Sequence, residues 1–241
     1  MRLLDLSYDE PERNLALDEA LLNEAEAGRS PETLRFWESP VTFVVLGIAQ
    51  RFEDEVLAEA CARDGVPVRR RCSAGGCVLQ MPGCINYSLV LSQDAREELS
   101  GIRRSYEYIL GTVASALHEA GAEVVPDGIS DLRSGVRKVS GNAQRRRKRF
   151  LLHHGTLLYD ADASLMANYL REPAARPEYR GGRIHSEFVS NLGISREDLL
   201  KAIADAFSGE AKQGDLTQAE HEETSRLANE KYATKAWTRR R

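Results

Sequence analysis

The sequence has no cysteine anywhere from Ile85 to Arg241; its four thiols, Cys61, Cys72, Cys77 and Cys84, all lie in the first 84 residues. Three crowd into Cys72-x4-Cys77-x6-Cys84, which lacks the paired C-x2-C spacing of a zinc site and has no histidine nearby to complete one. That distribution argues against a disulfide scaffold and for reduced thiols in the cytoplasm. Long hydrophobic runs are missing too. The longest, such as Val41 to Ala49 and Ser88 to Leu91, fall far short of the ~18 residues of a membrane span. The start, MRLLDLSYDEPERN, turns acidic too early for a secretory signal. A cytoplasmic location without a membrane partner is therefore expected. The sequence also has no Walker loop, no G-x-G-x-x-G, no internal repeat and no heptad array.

Neither sign of charge dominates. With 33 Lys+Arg against 37 Asp+Glu the net charge is −4, and 42% of the 241 residues are hydrophobic. This suffices for a core in one large domain or two small ones without covalent staples. The basic runs Arg145 to Arg149 and Arg239 to Arg241 are local, and no aromatic residues alternate with them. A solvated hairpin loop is the ordinary reading, and nucleic acid is not an expected partner. The first run could instead dock an acidic protein domain.

Periodicity outlines the elements. Leu15, Leu17, Leu21 and Leu22 give Asn14 to Ala27 a helical face, closed by Gly28. Thr42 to Gly47 and Val66 to Arg71 read as strands. Ile85, Tyr87, Leu89 and Leu91 alternate with Asn86 and Ser88, which predicts a half-buried strand. Ile102, Tyr106, Leu110, Val113, Leu117 and Ala120 mark a five-turn helix stopping at Gly121. Val136 to Val139 and Phe150 to Tyr159 read as paired strands. Ser195 caps a helix with Leu199, Ile203 and Phe207 on its apolar side. Ser208 to Arg226 is polar enough to be a linker or an exposed helix entry. Clustered strands with irregularly inserted helices predict an α+β fold of mixed, mainly antiparallel sheets packed with helices.

Two stretches carry the chemistry. In Arg69-Arg70-Arg71-Cys72-Ser73-Ala74-Gly75-Gly76-Cys77-Val78, small residues leave backbone N–H groups open to an anionic or planar ligand, and arginines precede them. The plain alternative is a tight turn beside a solvated arginine cluster. In the second, Lys138 lies inside a strand segment bracketed by Gly135 and Gly141. Such a lysine is costly unless it points into a polar cleft. Asp131 could position a divalent cation or orient that lysine. His154, before Gly155, reads as a hydrogen-bonded strand residue rather than a general base.

Taken in order, R-R-x-S-(small)-G-G, G-x-x-N-Y-S, (S/N)-D-L, (G)-x-R-K-x-S-G-x-A and H-H-G-T-L-L resemble the lipoate–protein ligase A family, within the wider biotin and lipoate ligase group. The likeness begins near Asn14-Leu15-Ala16-Leu17-Asp18 and runs to at least Asn168-Tyr169-Leu170, with Lys231-Tyr232 and Trp237 also fitting its end. It implies a class II synthetase or biotin-ligase-like catalytic domain over residues 1–241, with about 209–241 as an extension or helix. The activity it implies consumes ATP with Mg2+. Lipoate becomes lipoyl-AMP, and the acyl group then passes to a lysine of a lipoyl-domain or H-protein-like acceptor. Lys138 would be catalytic. Arg70, Arg71, Ser73, Gly75, Gly76, Cys77 and Val78 would cradle the adenylate, with Asn86, Asp131, Ser140, Gly141, His154, Gly155 and Thr156 completing the pocket. Asp131 is the candidate Mg2+ ligand. Trp37 and Gly47 would border the acyl tunnel.

The chain departs from the family at Ala74 in place of a glycine, at Gln80-Met81 where His-Asp is common, and at Cys84 where asparagine is usual. It has no room for the accessory C-terminal domain of longer ligases, so the expectation is either a separate accessory polypeptide as partner or transfer of a preformed acyl group only. A competing reading is an octanoyltransferase of the same fold, taking acyl groups from acyl carrier protein on a glycine-loop cysteine. A non-catalytic lipoyl-protein-binding paralogue is a third. The G-R-G-R-x-G-R loop of biotin ligases is absent.

Overall fold

The structure is a computed structural model that describes residues 1–173, 177–208 and 212–240. Its strands are β1 (Arg2–Asp5), β2 (Thr33–Glu38), β3 (Phe43–Leu46), β4 (Val68–Arg70), β5 (Val78–Gln80) and β6 (Cys84–Ser92), followed by β7 (Val125–Asp127), β8 (Asp131–Ser134), β9 (Arg137–Arg146), β10 (Phe150–Leu158) and β11 (Lys212–Gln213). Eight form one sheet in the order β11-β1-β2-β6-β10-β9-β8-β7, and β4-β3-β5 form a second. Pairing is antiparallel except for β1 with β2 and β11, and β3 with β4. The expected α+β class, mainly antiparallel, is what the chain adopts.

The large sheet is covered on both faces. Ile85, Tyr87, Leu89 and Leu91 of β6 pack with Ile109, Val113 and Leu117 of the helix Ile102–Glu119 and with Leu199 and Ile203 of the helix Arg196–Ser208. On the other face, Val90 and Leu152 meet Leu17 and Leu21 of the helix Pro11–Glu26, which starts on its proline and stops before Gly28 at φ +77°. The half-buried strand expected at β6 is therefore wrong in one respect: every residue but its last is buried. Asn86 and Ser88 alternate as polar residues should, but they face a packed helix and a second sheet rather than water. A third cluster joins Val44, Leu46 and Leu79 of the small sheet to Leu158, Met166, Leu170 and Phe188. No helix of the described residues is long and apolar enough to cross a membrane.

Two polar stretches are more ordered than their composition suggests. Of Ser208 to Arg226, residues 209–211 lie outside the described residues, but Gln218–Leu227 is a helix with a Thr217 capping box. Its Glu220 is fully buried, taking two hydrogen bonds from Arg2 and one from Ser30. The run at 145–149 is no free loop either: Arg145 and Arg146 belong to β9, and only 147–149 turn. Arg146 donates to Ser105, Gln93 and Leu99, Arg147 to Asn23, and Arg149 to Glu26.

Candidate active site

Strand register brings the two motif stretches to one place. Two adjoining cavities, of about 110 and 190 Å³, share Gly76, Cys77, Val78, Asp131, Lys138, Gly141 and Thr156 as wall. The smaller reaches Trp37, Arg71, Asn86, His154 and Gly155. The larger runs between Ser140, Leu158, Met166, Leu170 and Phe188. A wider groove of about 780 Å³ between the helices Ile102–Glu119 and Arg196–Ser208 contains none of the motif residues. Among the described residues, the motif side chains converge in the smaller pair.

At the strand end, Lys138 stands on β9 with its Nζ 2.7 Å from Asp131 Oδ1 on β8. Tyr179 donates its hydroxyl to the other oxygen, Oδ2, at 2.8 Å. The geometry pairs Asp131 with the lysine. Both carboxylate oxygens are engaged, and among the described residues no three His, Cys, Asp or Glu side chains gather to hold a metal. Gly141 pairs with Asp131 across the sheet, and a Cβ there would lie 3.0 Å from Lys138 Cε and Nζ. Gly155 is tighter still. An added Cβ would sit 1.8 Å from Asn142 Oδ1, which already accepts the Tyr87 hydroxyl at 2.5 Å. Asn142 donates in turn to Ser140 Oγ at 3.1 Å.

The loop end is held differently. Arg71 donates from Nη2 to the carbonyls of Ala74 and Gly76, at 2.6 and 2.9 Å, so its guanidinium shapes the loop. Gly75 turns at φ +91° while Ala74 stays at negative φ, and the alanine at the family's glycine position is unstrained. Arg70 does not reach the cavities. Its guanidinium lies on the carbonyls of Gly47, Gln50 and Thr238, and Trp237 returns an indole N–H to the Arg70 carbonyl. Ser73 and Gly75 are likewise absent from the cavity walls, though Gly75 fixes the loop against Gly47, where a Cβ would stand 2.1 Å from the Gly75 carbonyl oxygen. Gln80 and Asn86 face each other and exchange two amide hydrogen bonds at 2.7 and 2.9 Å. The Gln80 departure is thus matched inside the fold.

Several site groups escaped the sequence reading. Asp18 is buried on the N-terminal helix. Its Oδ1 accepts Arg35 Nη1 at 2.7 Å, and its Oδ2 accepts the Ser88 hydroxyl at 2.8 Å and lies 3.2 Å from His154 Nδ1. Burial alone would raise this carboxyl, but Arg35, His154 and Ser88 together hold it below its ordinary value. The signal was present as a carboxylate amid Leu15, Leu17, Leu21 and Leu22, where a charge needs a partner. His154 Nε2 meets Ser73 Oγ at 2.6 Å, and Arg71 Nε donates to the same oxygen at 2.9 Å. Trp37, expected beside the acyl tunnel, instead lines the smaller cavity with its Nε1 buried without a hydrogen-bond partner, and Gly47 lines neither cavity. Burial pushes the Cys72, Cys77 and Cys84 thiols up to about 12, with Arg71 pulling Cys77 only partly back. None is poised as a thiolate at neutral pH.

Residues 10–208 match the family model described as the lipoyl protein ligase A/B catalytic domain. Octanoyltransferase LipM of Moorella thermoacetica is 28% identical over 275 residues, covering 100% of this chain and 98% of that protein. The probable lipoate-protein ligase A of Mycoplasma pneumoniae is 30% identical over 217 residues, covering 90% of this chain but 61% of that protein. Among solved structures, the bi-partite lipoate protein ligase of Thermoplasma acidophilum, studied with its E2 lipoyl domain, superimposes with a TM-score of 0.86 at 25% identity. It covers 99% of this chain and 95% of its own. Further octanoyltransferases match over at least 94% of their length. These matches overturn the expectation of ATP-dependent lipoate ligation, because the curated relatives that share nearly their whole length with this chain are octanoyltransferases.

Proposed function

Because the chain belongs to the lipoyl protein ligase A/B catalytic domain family, we propose that it transfers an octanoyl group from a carrier-protein thioester to the ε-amine of a lysine on a lipoyl domain. The observation that carries this reading is the end-to-end match to octanoyltransferases. The cavities supply its chemistry. Leu158, Met166, Leu170 and Phe188 offer an apolar slot for an eight-carbon chain. Lys138, aimed by Asp131, stands where that slot meets the polar cavity, placed to stabilise the negative charge that grows on the thioester oxygen as it is attacked. The carbon–sulfur bond breaks, the carrier thiol leaves, and the amide forms on the acceptor lysine.

With a thioester as donor the acyl group arrives activated. ATP, Mg2+ and lipoyl-AMP have no part in this reaction, and an adenylating accessory subunit has no step to perform. The test is intact-mass analysis of a lipoyl domain incubated with this protein and octanoyl carrier protein, lipoate plus ATP, or synthetic lipoyl-AMP, with Lys138→Ala as control. Octanoyl modification from the carrier protein alone is expected. Modification only with lipoate plus ATP would sink the proposal.

A further inference from the structure

Ser73, His154 and Asp18 have the contacts of a nucleophile, its base and the group that orients the base. Arg71 can only donate and Asp18 at its depressed carboxyl can only accept. In the tautomer with its proton on Nδ1 toward Asp18, His154 leaves Nε2 to accept from the Ser73 hydroxyl at 2.6 Å. Arg71 Nε, 2.9 Å from Ser73 Oγ, supplies a fixed positive charge beside that oxygen. Asp18 is itself anchored through its other oxygen by Arg35, so the imidazole is held from behind by a rigid buried pair. His154 lines the polar cavity with Lys138, and Ser73 lies directly behind it, beneath the exposed loop Ala74 to Gly76.

We propose that Ser73 is the residue that carries the acyl group, as an ester, between the donor thioester and the acceptor lysine. This rests on the acyl-transfer reading above and names its covalent intermediate. Ser73 is buried beneath Ala74 to Gly76, so the scheme requires that loop to move before the thioester carbonyl can reach it. Ser73 Oγ attacks that carbon, its proton passes to His154 Nε2, the carbon–sulfur bond breaks, and the thiolate leaves with the proton. The lysine ε-amine then attacks the ester carbonyl. The carbon–oxygen bond breaks as the amide forms, and the amine's proton returns through His154 to Ser73. No oxidant or reductant is consumed, and the scheme needs no thiolate at Cys77.

The test is trapping of the acyl-enzyme from octanoyl carrier protein without acceptor, followed by intact mass, fragment localisation and hydroxylamine treatment. A single octanoyl adduct on Ser73, stable to neutral hydroxylamine and released under alkaline conditions, is expected. Ser73→Ala should lose the adduct and slow transfer by about 1,000-fold or more. Ser73→Cys should form an adduct labile to neutral hydroxylamine, a switch that a purely structural serine would not produce. An adduct on Cys77, or transfer at the normal rate by Ser73→Ala, overturns the assignment while the octanoyl-transfer reading stands. No transfer from the carrier protein by the wild-type protein removes both.

Discussion

Lys138 and Arg71 face one cavity but are held there by different means. Lys138 stands on β9, whose pairing places Gly141 opposite Asp131 and Gly155 opposite Asn142, and a register shift at Leu132/Arg133 separates those pairs from the Arg133–Lys138 pair. Arg71 follows a three-residue strand, and the loop after it is shaped by side chains gripping carbonyls: Arg71 on Ala74 and Gly76, Arg70 on Gly47, Gln50 and Thr238. Strand geometry is local and cooperative. A loop tied by guanidinium groups depends on partners scattered over the chain.

That contrast can be broken or sharpened by substitution. The largest effect is expected at Lys138→Ala, which should lower kcat/KM for acyl transfer by about 100- to 1,000-fold, or ~3–4 kcal/mol of barrier. Its melting temperature should barely change, because the strand around the lysine is intact. Gly155→Ala attacks the strand end itself. With a Cβ 1.8 Å from Asn142 Oδ1, a loss of about 3 kcal/mol in denaturant unfolding is expected, together with loss of transfer. A variant as stable as wild type would show that the register has slack. Arg70→Lys tests the loop end: it keeps the charge but loses the fork that spans three carbonyls. About 2 kcal/mol of stability should go, and transfer should slow although Arg70 lies outside the cavities. Full activity would separate the loop from its anchor.

The smallest effect concerns the packed helix Gln218–Leu227. Burial would raise the Glu220 carboxyl, but Arg2, Ser30 and the Thr217 backbone outweigh it and hold it below its ordinary 4.5. A depressed carboxyl gives stability that is complete above its unfolded value and is lost as pH falls through the lower folded value. Glu220→Gln should thus be less stable than wild type by about 1 kcal/mol near neutral pH, with the gap closing in acid. Thermal unfolding across pH 7 to 3 measures it.

The contrast also explains what could be read from sequence. β10 was legible as Phe150 to Tyr159, but β9 only as Val136 to Val139, whereas it runs Arg137–Arg146 because the polar Ser140 to Gln144 and the arginines after them continue the pairing. The long helices were legible through their leucine spacing. Arg70 and Arg71 could not be told apart, because adjacent residues on a strand point to opposite faces and nothing local says which face holds the ligand. Asp18 and Arg35 were hidden for a related reason: their pairing crosses from a helix to a strand. Glu220 looked like solvent-facing charge because its partners, Arg2 and Ser30, lie about 200 residues earlier. The activity was legible only as far as the family. The choice between an acyl-adenylate and an acyl thioester rests on the curated octanoyltransferases matched along nearly their whole length, since a solved lipoate protein ligase superimposes as fully and the residue types around Lys138 suit both.

The Arg70 clasp also has a consequence for synthesis. Its carbonyl partners at Trp237 and Thr238 lie 167 and 168 residues downstream. At ribosomal speeds of about 5–20 residues per second, the glycine loop spends roughly 8 to 33 s in a nascent chain whose anchor has not yet been made. During that interval the large sheet can pair, but a buried guanidinium lacks part of its hydrogen bonding. The strands that carry Lys138 and His154 are therefore synthesised well before the carbonyls that complete the Arg70 clasp.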